Sequence, residues 1–308
     1  SENFSMLQAD TVKPLFDRAL MASYPPGSTF KIMNGLIGLQ ENVIRPTSLF
    51  SCSKRYHAGS LTLGCHSHPS PHNLPQAVAQ SCNAWFCNAF RNILENPAYG
   101  SVQAAYDKWR EYLVAFGFGN KMGIDLPNEL SGFIPARSYY DRYYGKDRWK
   151  ALTVISLAIG QGEIGATPLQ MANMAAVIAN RGSFYIPHVI KKIGDDGVPS
   201  PLYTQKYITG ISPVNFDPVI EGMEGAVNGG AGSTARGARL DSIIICGKTG
   251  TAQNPHGKDH SIFVAFAPKD DPKIAIAVYV ENAGFGSTFA APIASLLIEK
   301  YLTGDIKR

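Results

Sequence analysis

The sequence predicts an α+β domain, with helices packed against an antiparallel sheet. Helical runs come first along the chain, and three strand-like runs cluster late, ahead of one last helical run. With 308 residues, 45% hydrophobic and 17% charged, there is material for a substantial core in one large domain or two small ones.

A Pro25-Pro26-Gly27 turn precedes residues 28–40, where Phe30, Met33, Leu36, Ile37 and Leu39 mark a buried helix. Residues 47–75 are rich in Ser, His, Gly and Pro and read as an irregular excursion. Residues 77–94 and 102–116 give a second and a third helical run. Residues 127–147, polar, aromatic and glycine-containing, read as loop. A buried helix over 169–180 closes on Arg181-Gly182, a C-cap signal. Residues 243–246, 261–267 and 274–281 are β-branched or alternating runs between turn residues, hence strands, and 290–302 is the closing helix.

The net charge of +4 is small, and no basic run exceeds Lys191-Lys192, so nothing argues for nucleic acid. A mild positive balance suits an anionic substrate and solubility equally. No stretch of about 18 apolar residues occurs and no signal peptide is visible. The opening Ser1-Glu2-Asn3-Phe4 reads as an arbitrary cut, so any membrane anchor is expected upstream of it.

Three short motifs carry chemistry. In Ser28-Thr29-Phe30-Lys31, a serine needs a base to become a nucleophile, and positions i and i+3 of a helix share a face. Lys31 is therefore expected beside Ser28 Oγ, and a helix N-terminus disfavours its protonated form. The plain alternative makes Ser28 an N-cap. A second copy, Ser51-Cys52-Ser53-Lys54, lies in the irregular excursion, whereas Ser28 opens an apolar helix. In Ser81-Cys82-Asn83, Ser81 suits a proton relay and Asn83 a hold on a substrate amide, with Cys82 pointing the other way. In Lys248-Thr249-Gly250-Thr251, a cation and a hydroxyl suit a carboxylate. Gly250 would let a substrate backbone approach, and the Thr251 N–H would help form an oxyanion hole. In this order the three make a complete acyl-transfer site.

At these residues the chain resembles the penicillin-binding protein transpeptidases. The flanking text, Tyr24-Pro-Pro-Gly-Ser-Thr-Phe-Lys31, Phe116-Gly-Phe-Gly119, Gly123-Ile-Asp-Leu-Pro127, Ile159-Gly-Gln-Gly162, Thr167-Pro-Leu-Gln-Met171 and Gly247-Lys-Thr-Gly-Thr-Ala-Gln253, resembles the class B, elongation-specific penicillin-binding protein 2 type. The similarity runs from about Pro14 to Leu302. It implies the penicillin-binding/β-lactamase-like transpeptidase fold, an antiparallel sheet flanked by helices with a mostly helical subdomain, in one domain over residues 1–308. It further implies Ser28 as acylated nucleophile, Lys31 as its base, Ser81 and Asn83 as second element and Lys248, Thr249 and Gly250 as third. The Ser28 and Thr251 backbone N–H groups would form the oxyanion hole.

The implied reaction is D,D-transpeptidation of peptidoglycan stem peptides ending in D-alanyl-D-alanine, without a cofactor, with β-lactam antibiotics as acylating inhibitors. The implied setting is the periplasmic face of the inner membrane, with a membrane glycosyltransferase of the elongation machinery as partner. Two departures stand out. Asn83 stands where many elongation enzymes carry Asp, and the family's domain has a helix and a strand pair upstream of this chain's start, together with a pedestal domain and an anchor. Without those strands the sheet is expected to show an uncovered edge. A D,D-carboxypeptidase differs only in its acyl acceptor, and a β-lactam sensor would be acylated without turnover. A serine β-lactamase needs a deacylating element of the Glu-x-x-Leu-Asn kind, which this sequence lacks.

Five cysteines leave at least one unpaired if all pairing is internal. Cys52, Cys65, Cys82 and Cys87 fall among His57, His66, His68 and His72. Cys52, Cys65, His68 and Cys82 are the favoured set for a tetrahedral structural zinc, with His72 the rival to His68. Some penicillin-binding protein 2 enzymes resemble this, holding zinc beside the second motif. A Cys52–Cys65 disulfide or buried free thiols are the alternatives. Cys87 and Cys246 fit core positions, and His260 a structural one.

Overall fold

The computed structural model describes residues 2–307 other than Asp196 and His256, so Ser1 of the opening lies outside it. In chain order the helices are α1 (Glu2–Ala9), α2 (Arg18–Met21), α3 (Lys31–Gln40), α4 (Leu74–Ala79), α5 (Asn83–Leu94), α6 (Val102–Ala115), α7 (Arg137–Tyr144), α8 (Pro168–Ala179), α9 (Pro201–Thr204), α10 (Phe216–Asn228) and α11 (Ala290–Thr303). The strands are a hairpin of β1 (Arg55–Ala58) and β2 (Leu61–Gly64), a short pair of β3 (Ser183–Phe184) and β4 (Tyr207–Ile208), and a main sheet of β5 (Cys246–Ala252), β6 (His260–Ala267) and β7 (Ile274–Val280).

The main sheet is antiparallel in the order β5-β6-β7, with Lys248 opposite Val264 and Val264 opposite Ala277. Successive side chains of a strand point to opposite faces. Val264 and Phe266 accordingly join the core of the helical part, while Phe263, Ala265 and Ala267 pack with Ala290, Ala294 and Ile298 of α11. Strand β6 is thus covered on both sides, which is why it reads as an unbroken apolar run. Strand β7 is half-buried throughout, and among the described residues only β6 pairs with it. Its outer edge is open.

Helix α3 runs through the middle of the helical part, with every residue from Lys31 to Leu39 buried. A helix buried all round needs apolar neighbours all round. Phe30, just before it, meets Trp109 of α6 and Phe118 edge-on, at 6.3 and 5.7 Å between centroids.

Several elements differ from the sequence reading. The run 28–40 opens with a 3-10 turn, Gly27–Phe30, and α3 proper starts at Lys31. The run 77–94 is two helices, α4 and α5, because Ser81 between them takes a left-handed φ of 54°. The excursion 47–75 contains the β1–β2 hairpin, and strand β5 begins at Cys246, where the apolar run 243–246 ends. Helix α7 occupies the stretch read as loop, because Tyr140 is buried against Tyr106 and Trp149. Helix α10, which the sequence reading did not assign, contains Gly222 and Gly225. They are packing positions: a Cβ on Gly222 would lie 2.6 Å from Val78 Cβ and 2.8 Å from Pro75 O of α4.

Candidate active site

The three motifs meet on one cleft of about 840 Å³, whose walls include Ser28, Ser81, Asn83, Thr249, Gly250 and Thr251. Three unrelated pieces of chain supply them: the 3-10 turn before α3, the turn between α4 and α5, and strand β5.

Ser28 is half-buried between neighbours that are wholly buried. It caps nothing, since neither the 3-10 turn nor α3 has a side-chain cap, so the N-cap alternative does not hold. Its turn is fixed from behind. Gly27 N donates to Gly160 O at 2.9 Å, and Gly27 itself has a φ of 57°. A Cβ there would stand 2.7 Å from Thr251 O, so only glycine lets the turn lie against β5.

Lys31 is fully buried, and its ammonium points at the second motif. Nζ donates to Ser81 O and Asn83 Oδ1, both at 2.6 Å, and to Ser81 Oγ at 3.1 Å. Among the described residues no hydrogen bond joins Lys31 Nζ to the Ser28 hydroxyl; the ammonium is held by Ser81 and Asn83 instead. Ser28 lies in a 3-10 turn, where positions i and i+3 still share a face, so it is the acceptors Ser81 O and Asn83 Oδ1 that draw Nζ away from Ser28. Burial lowers the Lys31 pKa to about 8, a value at which a lysine can act as a base near neutrality.

The second motif is a strained turn. Ser81 sits in the left-handed region, which costs a non-glycine residue of order 1 kcal/mol and persists only where surroundings impose it. Here Lys31 and the start of α5 do so. Cys82 faces inward, fully buried, and its Sγ accepts from Trp85 N at 3.4 Å as the N-cap of α5. Asn83 Nδ2 donates to Gly64 O at 2.6 Å, tying the motif to the end of β2.

On β5, Lys248 is wholly buried and its Nζ donates to Thr249 O at 3.0 Å. Burial first, then the nearby Lys31 charge, hold its pKa well below the lysine range. Gly250 corrects the sequence reading. The space its missing side chain leaves is taken by the protein itself, with Thr29 Cγ2 2.9 Å and Pro26 O 3.1 Å from where a Cβ would be. It lets the Ser28 turn, rather than a substrate backbone, approach the strand. A Cβ added to Gly286 would in turn run into the backbone of Gly250.

Two positioning residues escaped sequence reasoning. Gln161 Nε2 donates to Thr251 O at 3.1 Å, which orients the strand end whose N–H is expected to hold an oxyanion. Asn34 bridges Trp109, whose Nε1 donates to its Oδ1 at 2.8 Å, to the segment before Gly160, donating to Leu157 O and Ala158 O at 3.2 and 3.0 Å. A lone Asn inside an otherwise apolar helix was the available signal for Asn34.

Beside the second motif, Cys52, Cys65, His68 and Cys82 bring one ligand atom each to within 4.8 Å of one another. His72 is not in this group. Cys52 and Cys65 are free thiols with sulfurs 3.5 Å apart, so no disulfide joins them. A hydrogen bond from Cys82 holds the Cys65 thiol low, at about 4, while the same bond pushes Cys82 up. Cys87 and Cys246 are buried in the core, and His260 accepts from Asn282 N at 3.1 Å and meets Tyr24 edge-on, a structural role.

An α+β scaffold that gathers these three motifs on one cleft defines a penicillin-binding serine protein. The family model for the penicillin binding protein transpeptidase domain matches residues 2–299, and the chain belongs to that family, within its penicillin-binding protein 2 type. It is 33% identical to the peptidoglycan D,D-transpeptidase MrdA of Acinetobacter baumannii, over 98% of this chain and 46% of that protein. Its fold superposes on Pseudomonas aeruginosa PBP2 with a TM-score of 0.83 at 31% identity, over 98% of this chain and 64% of that one. It also matches, with a TM-score of 0.80 at 26% identity, a chain of a peptidoglycan synthase complex described as coordinating polymerization and crosslinking, over 100% of this chain and 51% of that one. The chain spans about half the length of the curated relatives it matches. Among its described residues no helix is long and apolar enough to cross a membrane.

Proposed function

We propose that this chain is the catalytic domain of a peptidoglycan D,D-transpeptidase working through a serine acyl-enzyme. The observation that carries the reading is the buried Lys31, low in pKa and hydrogen-bonded to both Ser81 and Asn83 on the cleft that Ser28 lines. Ser28 Oγ attacks the carbonyl of the penultimate D-alanine while Lys31, neutral, accepts the hydroxyl proton. The negative oxygen of the tetrahedral intermediate lies against the Ser28 and Thr251 N–H groups. Ser81, between Lys31 and the cleft, returns a proton to the leaving amine, and D-alanine departs. An amine from a neighbouring strand then attacks the ester, loses its proton by the same relay and frees Ser28. A peptide ending in D-alanyl-D-alanine, incubated with the protein and an acceptor amine, should yield free D-alanine and a cross-linked product in equal amounts. D-alanine with hydrolysed peptide alone would make the domain a carboxypeptidase, and neither product would reject the reading.

The position is the periplasmic face of the inner membrane, with a membrane glycosyltransferase as partner. The partner is supported by the related chain found in a peptidoglycan synthase complex that coordinates polymerization and crosslinking. The chain is one domain whose sheet is completed from upstream: the open edge of β7, the exposed Phe289 just before α11 and the exposed Ile293, Leu297 and Tyr301 along it support that completion.

Catalysis in this family uses no cofactor, but a structural zinc ion held by Cys52, Cys65, His68 and Cys82 fits the residues. Nδ1 of His68 is engaged by Pro69 O at 2.6 Å, which leaves Nε2 buried and, among the described residues, without a hydrogen-bond partner. One low-pKa thiol and two more within reach complete a tetrahedral N/S donor set. Bound zinc would clamp the β1–β2 hairpin to the middle of the second motif. Metal analysis of purified protein should find about one zinc per chain, lost in Cys65→Ser together with several degrees of Tm. Metal-free protein with five reactive thiols on unfolding would contradict it.

A further inference from the structure

The donor substrate of the proposed reaction ends in a carboxylate, and something in the cleft must recognise it. The sequence points to Lys248, yet Lys248 has no exposed surface and gives its Nζ to Thr249 O. It does not line the cleft, so in this structure it acts on a ligand through the local potential rather than by contact. Among the described residues lining the cleft, Arg236 is the one Lys or Arg, and Asp259 is the one carboxylate, set beyond the opposite end of β5 next to Gln253. Arg236 is exposed, and no carboxylate of the described residues pairs with it.

Its backbone is held rigidly. Arg236 begins a short 3-10 turn, Arg236–Ala238. Thr234 Oγ1 donates to Ala79 O at 3.1 Å, two residues before Ser81, and Ala235 N donates to Ala226 O at 2.8 Å. Ser295 Oγ donates to Ala238 O at 2.8 Å from α11. Ala235 and Ala238 pack with Ile245, which leads into β5 just ahead of Lys248 and Thr249. Arg236 therefore lines the cleft from a segment packed where the chain enters β5, just ahead of Lys248 and Thr249. The Thr249 hydroxyl lies on the same cleft and makes no hydrogen bond to the described residues.

We infer that Arg236 is a substrate-binding residue that, with the Thr249 hydroxyl, grips the terminal carboxylate of the donor peptide and the equivalent carboxylate of β-lactams. The inference rests on the acyl-transfer reading above. A planar guanidinium meets a carboxylate with two parallel N–H groups, which a buried ammonium cannot do. The two side chains act differently, Lys248, when protonated, by positive potential from below and Arg236 by direct hydrogen bonds.

The test is the second-order rate of acylation of wild type, Arg236→Gln and Arg236→Lys by benzylpenicillin and by its methyl ester, followed by intact mass. Loss of a charge-assisted hydrogen bond should slow Arg236→Gln about 10- to 100-fold with the free acid. The rate with the ester should stay within about twofold of wild type, and Arg236→Lys should recover part of the loss on the acid. Equal slowing on both compounds, or no slowing on either, overturns the inference while leaving the acyl-transfer reading intact. A wild-type protein that neither compound acylates overturns that reading instead.

Discussion

Replacing Lys31 with Arg keeps a cation of similar length at the centre of the site but removes any route to a neutral base, because a guanidinium does not deprotonate near neutrality. In the unmodified chain, burial brings Lys31 from 10.5 down to about 8. At pH 7 about one molecule in ten then carries a neutral amine, against roughly one in 3,000 for an unshifted lysine, a gain of about 300-fold in competent base. Acylation of the wild type by a fluorescent penicillin should therefore rise about tenfold per pH unit below about 8 and level off above it. The Lys31→Arg protein should be slower by about 10³-fold or more and show no such rise. Stopped-flow rates between pH 6 and 9.5 on both proteins read this directly. A wild-type profile that is flat, or that keeps rising past pH 9.5, would refute the assignment of Lys31 as the base.

Other consequences follow from single contacts. Gln161→Ala removes the hydrogen bond to Thr251 O, and acylation should fall about tenfold with a stability loss of about 1 kcal/mol. An unchanged acylation rate would show that the strand end needs no such support. Gly222→Leu places a side chain into α4, with Val78 Cβ already 2.6 Å from the first added carbon. Overpacking of about 1–3 kcal/mol should lower Tm by about 2–8 °C in thermal unfolding, and a neutral result would mean that α10 and α4 are not tightly packed. Asn34→Leu strands the Trp109 indole N–H and frees the segment before Gly160, so acylation should weaken along with stability, by about 2 kcal/mol in urea melts. Full activity in that variant would disconnect Asn34 from the site.

The motifs were legible because each combines residue types that chemistry needs with a local context that sequence displays: a turn before an apolar helix at Ser28, a strand-like run before Lys248. Their assembly was less so. The reason Gly250 must be glycine is Thr29, which is 221 positions away along the chain, and no local pattern carries that. Helix α10 was missed for the same kind of reason, since its glycines answer to α4 rather than to the helix itself. Helix α7 was missed because Tyr140 looks polar in sequence but is buried on Tyr106 and Trp149. The Lys31 pairing differed in a subtler way. Spacing placed Lys31 on the side of Ser28, but the acceptors that the left-handed Ser81 turn presents draw its Nζ toward the second motif. The cysteines were ambiguous in sequence because thiol spacing suits metal, disulfide and core alike. Their clustering with His68 depends on the β1–β2 hairpin folding back onto α5.

The central claim is that Ser28 becomes covalently acylated, and intact-mass spectrometry after incubation with benzylpenicillin tests it most directly. A single long-lived adduct on the unmodified protein, absent in Ser28→Ala, is the result this account predicts. An adduct that survives in Ser28→Ala, or no adduct on the unmodified protein, would contradict it.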